Sequence, residues 1–278
     1  MRGKIVFGLF MILILTMGAV SVTPAAAEAG YSTMDVASPA CRVIMPWAVG
    51  GNPDANRQYP IIAWANGWDN QGNDTVAGYT GGLAAWALDG QYIIIADKSN
   101  SPKVSTLTAC LTWMVNQNTV SGSIFNGKLN TSKIGLAGHS QGGGVAIMTG
   151  NAAFNIVGVV AFNPYQANWR KAENQKGPVL IFAGDADTTT PIAQYAQPAY
   201  NKVKTSGKGA VLAILQGGTH SGQVWQTPDF TTFQEPSNLF WRKVLNGDSS
   251  AGASLKTLLD TNPPWTTSYT FTANFTLP

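Results

Sequence analysis

The chain has 278 residues with a formal net charge of +3, and 11% of its residues are charged while 45% are hydrophobic. That balance fits a globular chain with a sizeable core; its two cysteines are too few for a zinc site, and no metal-ligand cluster is visible in the sequence. The positive excess carries no nucleic-acid signal: Arg2 and Lys4 lie in a leader that holds no acid, and without them the net charge falls from +3 to +1.

Residues 1–27 have the grammar of a secretory signal peptide. Arg2 and Lys4 come first, an apolar run covers 5–20, and Thr23-Pro24-Ala25-Ala26-Ala27 supplies small residues suited to cleavage. Cleavage would start the mature chain near Glu28, place it outside the cell and leave no membrane segment. An uncleaved anchor is the alternative, because the apolar run is almost long enough to span.

Residues 28–278 read as one domain, since strands and helices alternate with no long linker and no internal repeat. In chain order, strands are predicted over 42–47, 59–64, 91–96, 133–137, 156–162, 178–183 and 210–215. Helices are predicted over 79–88, 105–115, 143–148, 191–204 and 238–245. The final stretch 269–275 alternates aromatic and small polar residues like a half-buried edge strand. The expected class is α/β, a mostly parallel central sheet flanked by helices, with no evident lid. An even cysteine count in an exported chain favours a disulfide. Cys41, just before the strand at 42–47, and Cys110, in the helix at 105–115, are expected to staple the first strand to that helix; two buried thiols are the alternative.

The chemistry gathers on Gly138-His139-Ser140-Gln141-Gly142. A G-x-S-x-G run between an apolar strand and a helix opening on small residues places serine on a strained turn, exposed as a nucleophile. That nucleophile needs a base. His139 adjoins Ser140 on a tight turn and points away from it, which leaves His220, in the loop after the strand at 210–215. The orienting acid should lie between serine and histidine in the chain, the order of α/β-hydrolases. Asp187 and Asp185 both follow the strand at 178–183. Asp187 is preferred, because Asp187-Thr188-Thr189-Thr190-Pro191 looks like a loop that caps the next helix; Asp185 stays open as the alternative. The oxyanion of acyl transfer would be met by the backbone N–H of Gln141 and by one near Trp68, in the Asn66-Gly67-Trp68 turn after the strand at 59–64.

Taken together, 60–68, 92–100, 138–142, 187–191, 218–220 and 240–248 resemble the secreted bacterial polyester hydrolases, the cutinase-like and poly(ethylene terephthalate) hydrolase group of the α/β-hydrolase superfamily. The resemblance implies Ser140, Asp187 and His220 as catalytic triad and the N–H groups of Trp68 and Gln141 as oxyanion hole. It also makes Trp68 and Tyr165 the aromatic walls of the substrate cleft. The group's usual Pro-Gly-Tyr oxyanion turn is Asn66-Gly67-Trp68 here, its common tryptophan is Tyr165, and its frequent C-terminal disulfide is missing. The expected protein is a monomeric secreted esterase acting on esters or polyesters, without cofactor, metal or nucleic-acid partner. A small-molecule or carbohydrate esterase is the alternative, and an inactive hydrolase-fold binding protein the more distant one.

Overall fold

The computed structural model of the chain describes residues 30–48, 50–69, 76–221, 230–261, 265–272 and 275–276. The expected leader, 1–27, lies outside them. The described residues form a nine-stranded sheet in which β3 (Tyr59–Ala65), β4 (Ile93–Asp97), β5 (Leu129–His139), β6 (Ile156–Phe162), β7 (Val179–Gly184) and β8 (Ala210–Leu215) run parallel. β1 (Ser32–Val36), β2 (Cys41–Met45) and β9 (Trp265–Thr270) are antiparallel and sit towards the two edges, giving the order β1-β2-β4-β3-β5-β6-β7-β8-β9. This is the α/β-hydrolase fold expected from the sequence.

The central strands are buried on both faces, which is why they read as unbroken apolar runs such as Tyr59–Ala65 and Val179–Gly184. Pro60 can stand in a central strand because pairing with β4 begins only at Ile61 and the register against β5 shifts between Pro60 and Ile61. One face packs on α2 (Val104–Gln117), α3 (Gln141–Thr149) and α4 (Ala196–Val203), through residues such as Leu111, Ile147 and Tyr200. The other packs on α1 (Thr80–Gly90), α5 (Phe230–Trp241) and α6 (Ser249–Thr261). That second layer is strongly aromatic: Trp86, Phe162, Phe182, Phe233 and Trp241 meet ring to ring at centroid distances of 4.9 to 6.0 Å.

Several elements differ from the sequence reading: α6 is not among the predicted helices, β5 begins at Leu129 and not at Lys133, and the helix predicted over 191–204 is confined to Ala196–Val203. β1 precedes the strand expected to be first, so Cys41 opens the second strand. The helix predicted over 238–245 begins at Phe230 and accommodates Pro236, and a π-helical turn, Arg242–Asn246, follows it. The predicted edge strand lies earlier, at Trp265–Thr270, and residues 273–274 of the expected range lie outside the described residues.

Cys41 and Cys110 form the expected disulfide, tying β2 to α2 across 69 residues of chain. A loop of that length restricts the unfolded chain by about 4 kcal/mol in the chain-entropy account. The double variant Cys41→Ala/Cys110→Ala is therefore expected to melt roughly 10 °C lower in a calorimetric scan, at about 2–4 °C per kcal/mol for a domain of this size. An unchanged melting temperature would show that the bridge contributes nothing.

Candidate active site

The candidate site residues, Asp185 among them, stand at the carboxyl ends of the parallel strands, where open α/β sheets present their ligand sites. The Asn66-Gly67-Trp68 turn follows β3, Ser140 follows β5, Tyr165 follows β6, Asp187 follows β7 and His220 follows β8. Ser140 adopts φ 55° and ψ −123° between β5 and α3, a strained backbone for a residue with a Cβ. Its carbonyl accepts from Tyr165 N at 2.8 Å and its N–H donates to Phe162 O at 2.9 Å, so the turn is clamped from β6. The spacing of the flanking glycines is steric. A Cβ at Gly138 would stand 2.4 Å from the Gly142 carbonyl oxygen, and one at Gly142 would stand 2.0 Å from the Ala65 oxygen.

Ser140 Oγ lies 2.9 Å from His220 Nε2, and His220 Nδ1 lies 2.8 Å from Asp187 Oδ2. A carboxylate only accepts, so Nδ1 carries the proton and Nε2 is left to accept from the serine hydroxyl. Asp187 is buried and its oxygens are fully engaged. Oδ1 accepts from the backbone N–H of Thr189 and Thr190 at 2.8 Å each, and Oδ2 accepts from Thr190 Oγ1 at 2.6 Å as well as from His220. Burial pushes this carboxyl up, but the His220 and Thr190 hydrogen bonds outweigh it and hold Asp187 at about 2, ionised at any working pH. Asp185 is elsewhere engaged: its Oδ1 accepts from Gly217 N at 2.6 Å and closes the turn after β8.

Gln141 is the first residue of α3, so its N–H has no intrahelical acceptor and stands at the positive end of the helix. A cleft of about 280 Å³ opens over Ser140, lined by Trp68, Gln141, Tyr165, Thr189 and Thr190. Trp68 is 60% exposed and Tyr165 40% exposed, a degree that core packing does not explain. Behind Tyr165 stands Tyr195, ring centroids 5.0 Å apart.

Three contributors escaped the sequence reading. Thr190 braces the acid, as described. Asn163, at φ 41°, donates its amide to the carbonyls of His220 at 2.8 Å and Thr219 at 3.1 Å and accepts from Gly184 N at 3.0 Å, pinning the histidine loop to the acid loop. Tyr195 supports an aromatic wall. An Asn-Pro-Tyr run signals a turn, but nothing in it indicates which loop the amide reaches.

His139, dismissed as the base, is buried with its ring 4.8 Å from that of His220. Burial first, and then the nearby His220, hold its pKa down at about 3, against a weaker opposing pull from the His220 carbonyl and Asp187. A depressed folded-state pKa gives stability that is complete above the unfolded value of about 6.5 and is lost as pH falls towards 3. Stability to urea is accordingly expected to drop between pH 6.5 and 4 by up to about 1.4 kcal/mol per pH unit, and His139→Gln should flatten that slope. Equal slopes in the two proteins would refute the attribution. The Asp187 share appears only below about 3.8, because its own pKa is lowered.

With this geometry in view, the chain compares closely with one family. Residues 82–234, more than half of the chain and including Ser140, Asp187 and His220, match the family described as PET hydrolase-like. The chain belongs to that family. Among its relatives are Cutinase 2 of Thermobifida cellulosilytica, 28% identical over 155 residues, and Cutinase cut1 of Thermobifida fusca, 28% identical over the same length. These alignments cover 51% of the chain and 57% and 47% of the two cutinases, so the chain spans about half the length of the curated relatives it matches. The bis(hydroxyethyl) terephthalate hydrolase of Streptomyces coelicolor is 28% identical over 116 residues, 41% of the chain and 34% of that protein. Trp68 lies outside the segment matched to the PET hydrolase-like family, whereas Tyr165 and Tyr195 lie within it.

Proposed function

We propose that this PET hydrolase-like chain is a secreted serine esterase that cleaves carboxylic esters through an acyl-enzyme, with polyesters, aromatic ones included, as its substrate class. The observation that carries the reading is the unbroken chain of contacts from Ser140 Oγ through the His220 ring to Asp187. His220 Nε2 takes the hydroxyl proton as Ser140 Oγ attacks the ester carbonyl carbon, and the carbonyl oxygen becomes an oxyanion facing the N–H groups of Gln141 and Trp68. The C–O bond to the alcohol then breaks, with His220 returning the proton to the leaving oxygen. Water, deprotonated by the same nitrogen, attacks the acyl-enzyme and releases the acid and free Ser140. Asp187 stays ionised throughout, fixing the imidazole tautomer and stabilising its cation. The neutrality of His139 matters here, because a second cation 4.8 Å away would oppose the imidazolium.

The polyester side of the reading rests on the relatives named cutinase and bis(hydroxyethyl) terephthalate hydrolase and on the open cleft between two exposed aromatic side chains. Flat rings stack on such walls with little ordering cost. Export rests on the leader grammar of 1–27 and on the Cys41–Cys110 disulfide, which an oxidising compartment favours. Among the described residues, no helix is long and apolar enough to cross a membrane. Residues 28–278 act on this reading as one monomeric domain, and no step calls for a cofactor. The test is product release from an amorphous poly(ethylene terephthalate) film alongside p-nitrophenyl ester turnover. Both activities are expected; soluble-ester turnover with an untouched film would move the assignment to a small-molecule esterase.

A further inference from the structure

His139 and Tyr79 take no part in the mechanism above, yet both are buried directly beneath it, each 2% exposed. Tyr79 Oη stands 2.7 Å from His139 Nδ1, and His139 Nε2 stands 2.7 Å from the backbone carbonyl of His220. At the other end, Gly67 N donates to Tyr79 Oη at 3.3 Å. The direction of every proton follows from one fact. The His220 carbonyl can only accept, so His139 carries its proton on Nε2; Nδ1 is then a lone pair, and the Tyr79 hydroxyl must donate to it while its oxygen accepts from Gly67. A single chain of one polarity therefore runs from the oxyanion turn, through two buried side chains, to the residue that carries the base.

We propose that Tyr79 and His139 are positioning residues that hold the Asn66–Trp68 turn and the His220 loop in register across the top of the sheet. The proposal rests on the serine-esterase reading of the site. The two loops need such a tie because they belong to β3 and β8, which are separated in the sheet by β5, β6 and β7. The turn is fixed on its other side by Asn66, whose side chain accepts from Trp64 Nε1 at 2.8 Å and donates to Asp97 O at 2.7 Å. The His220 carbonyl is likewise held from a second direction by Asn163 at 2.8 Å. Packing leaves no slack at the joint: a Cβ at Gly67 would stand 3.2 Å from both Tyr79 Oη and His139 Nδ1. Burial also keeps both groups in the protonation state the chain needs. It raises the Tyr79 phenol, so the donor is retained, and it keeps the His139 ring neutral. An error of about 1 Å between oxyanion donors and base costs on the order of 100-fold in rate, so buried ties of this kind show in turnover before they show in binding.

The test has a kinetic and a spectroscopic arm. Tyr79→Phe and His139→Phe are expected to lower kcat for a p-nitrophenyl ester about 10- to 100-fold with KM within about threefold. The Tyr79→Phe/His139→Phe double variant should be no slower than the worse single variant by more than about twofold, because one chain is cut only once. His139→Gln, which keeps an amide donor for the His220 carbonyl, should recover part of the loss. Folded variants with unchanged kcat, or losses that multiply in the double variant, would overturn the proposal. Imidazole ¹⁵N spectra of the wild-type protein read the relay without turnover. They should show His139 as the Nε2–H tautomer at pH 7, and an Nδ1–H or cationic ring would overturn the relay. If the wild type turned over no ester, the esterase reading would fall while the spectra still decided the hydrogen-bond chain.

Discussion

Ser140→Ala is expected to lower kcat/KM for p-nitrophenyl esters by roughly 10⁴- to 10⁶-fold while leaving the fold intact. The loss is large because the substitution removes the one atom, Oγ, that forms a bond to the acyl carbon; what remains is the oxyanion hole and the cleft, which alone accelerate hydrolysis only about 10³- to 10⁴-fold over water. The fold should survive for a local reason. Alanine keeps the Cβ that already tolerates φ 55°, and the backbone bonds that clamp the turn, to Phe162 and from Tyr165 and Gly144, need no side chain. The His220 Nε2 left behind is not stranded either, since that side chain is 17% exposed and water can replace the hydroxyl. The melting temperature should stay within about 4 °C, the shift that about 1 kcal/mol produces in a domain of this size. Intact-mass labelling with an organophosphonate supplies a readout independent of substrate choice: one adduct on the wild type, none on the variant. An adduct that persists on Ser140→Ala would place the nucleophile elsewhere.

The parts of the molecule that the sequence announced are those decided by composition along the chain. β6 and β8 have the predicted bounds, 156–162 and 210–215, because each is an uninterrupted apolar run buried on both faces. The meeting of Ser140 with His220 was readable from scarcity, since two histidines leave little choice once one adjoins the serine. The elements that differ are those whose local signals conflict with their packing. β1 alternates as an edge strand, with Thr33 and Asp35 exposed and Met34 and Val36 only partly buried. α6 opens on Ser249-Ser250-Ala251-Gly252, where two serines and a glycine give a weak helical signal, and it folds because Ala251, Leu255 and Leu259 seal the aromatic layer. α5 runs through Pro236, a residue that ordinarily ends helices, so apolar spacing predicts helix only beyond it. In the site, Thr190, Asn163 and Tyr79 act through partners 3 to 60 residues away. A hydroxyl, an amide and a phenol of these common types carry no mark of such partners until the strand order is known.

The choice between the two aspartates, which position along the chain leaves open, becomes a sharp kinetic contrast. Asp187→Asn is expected to cost roughly 10³- to 10⁴-fold in kcat, and Asp185→Asn less than about threefold. At position 187 an amide has no good orientation. If its oxygen faces His220 Nδ1, its NH₂ points at the Thr189 and Thr190 N–H groups, which now donate to Asp187 Oδ1 at 2.8 Å, so donor meets donor. If it turns over, the NH₂ faces Nδ1, the imidazole takes the Nε2–H tautomer, and the nitrogen that must accept the serine proton already bears one. Either way the negative charge that stabilises the imidazolium is gone. At position 185 the side-chain task among the described residues is to accept from Gly217 N at 2.6 Å, and an asparagine Oδ1 performs it. The pH profile separates loss of function from loss of fold: with Asp187 held at about 2, wild-type kcat/KM should carry no acidic limb from this carboxyl above pH 4. A folded Asp185→Asn that is the crippled variant, beside an active Asp187→Asn, would mean that the contact between Asp187 and His220 is not the one that turns the serine into a nucleophile.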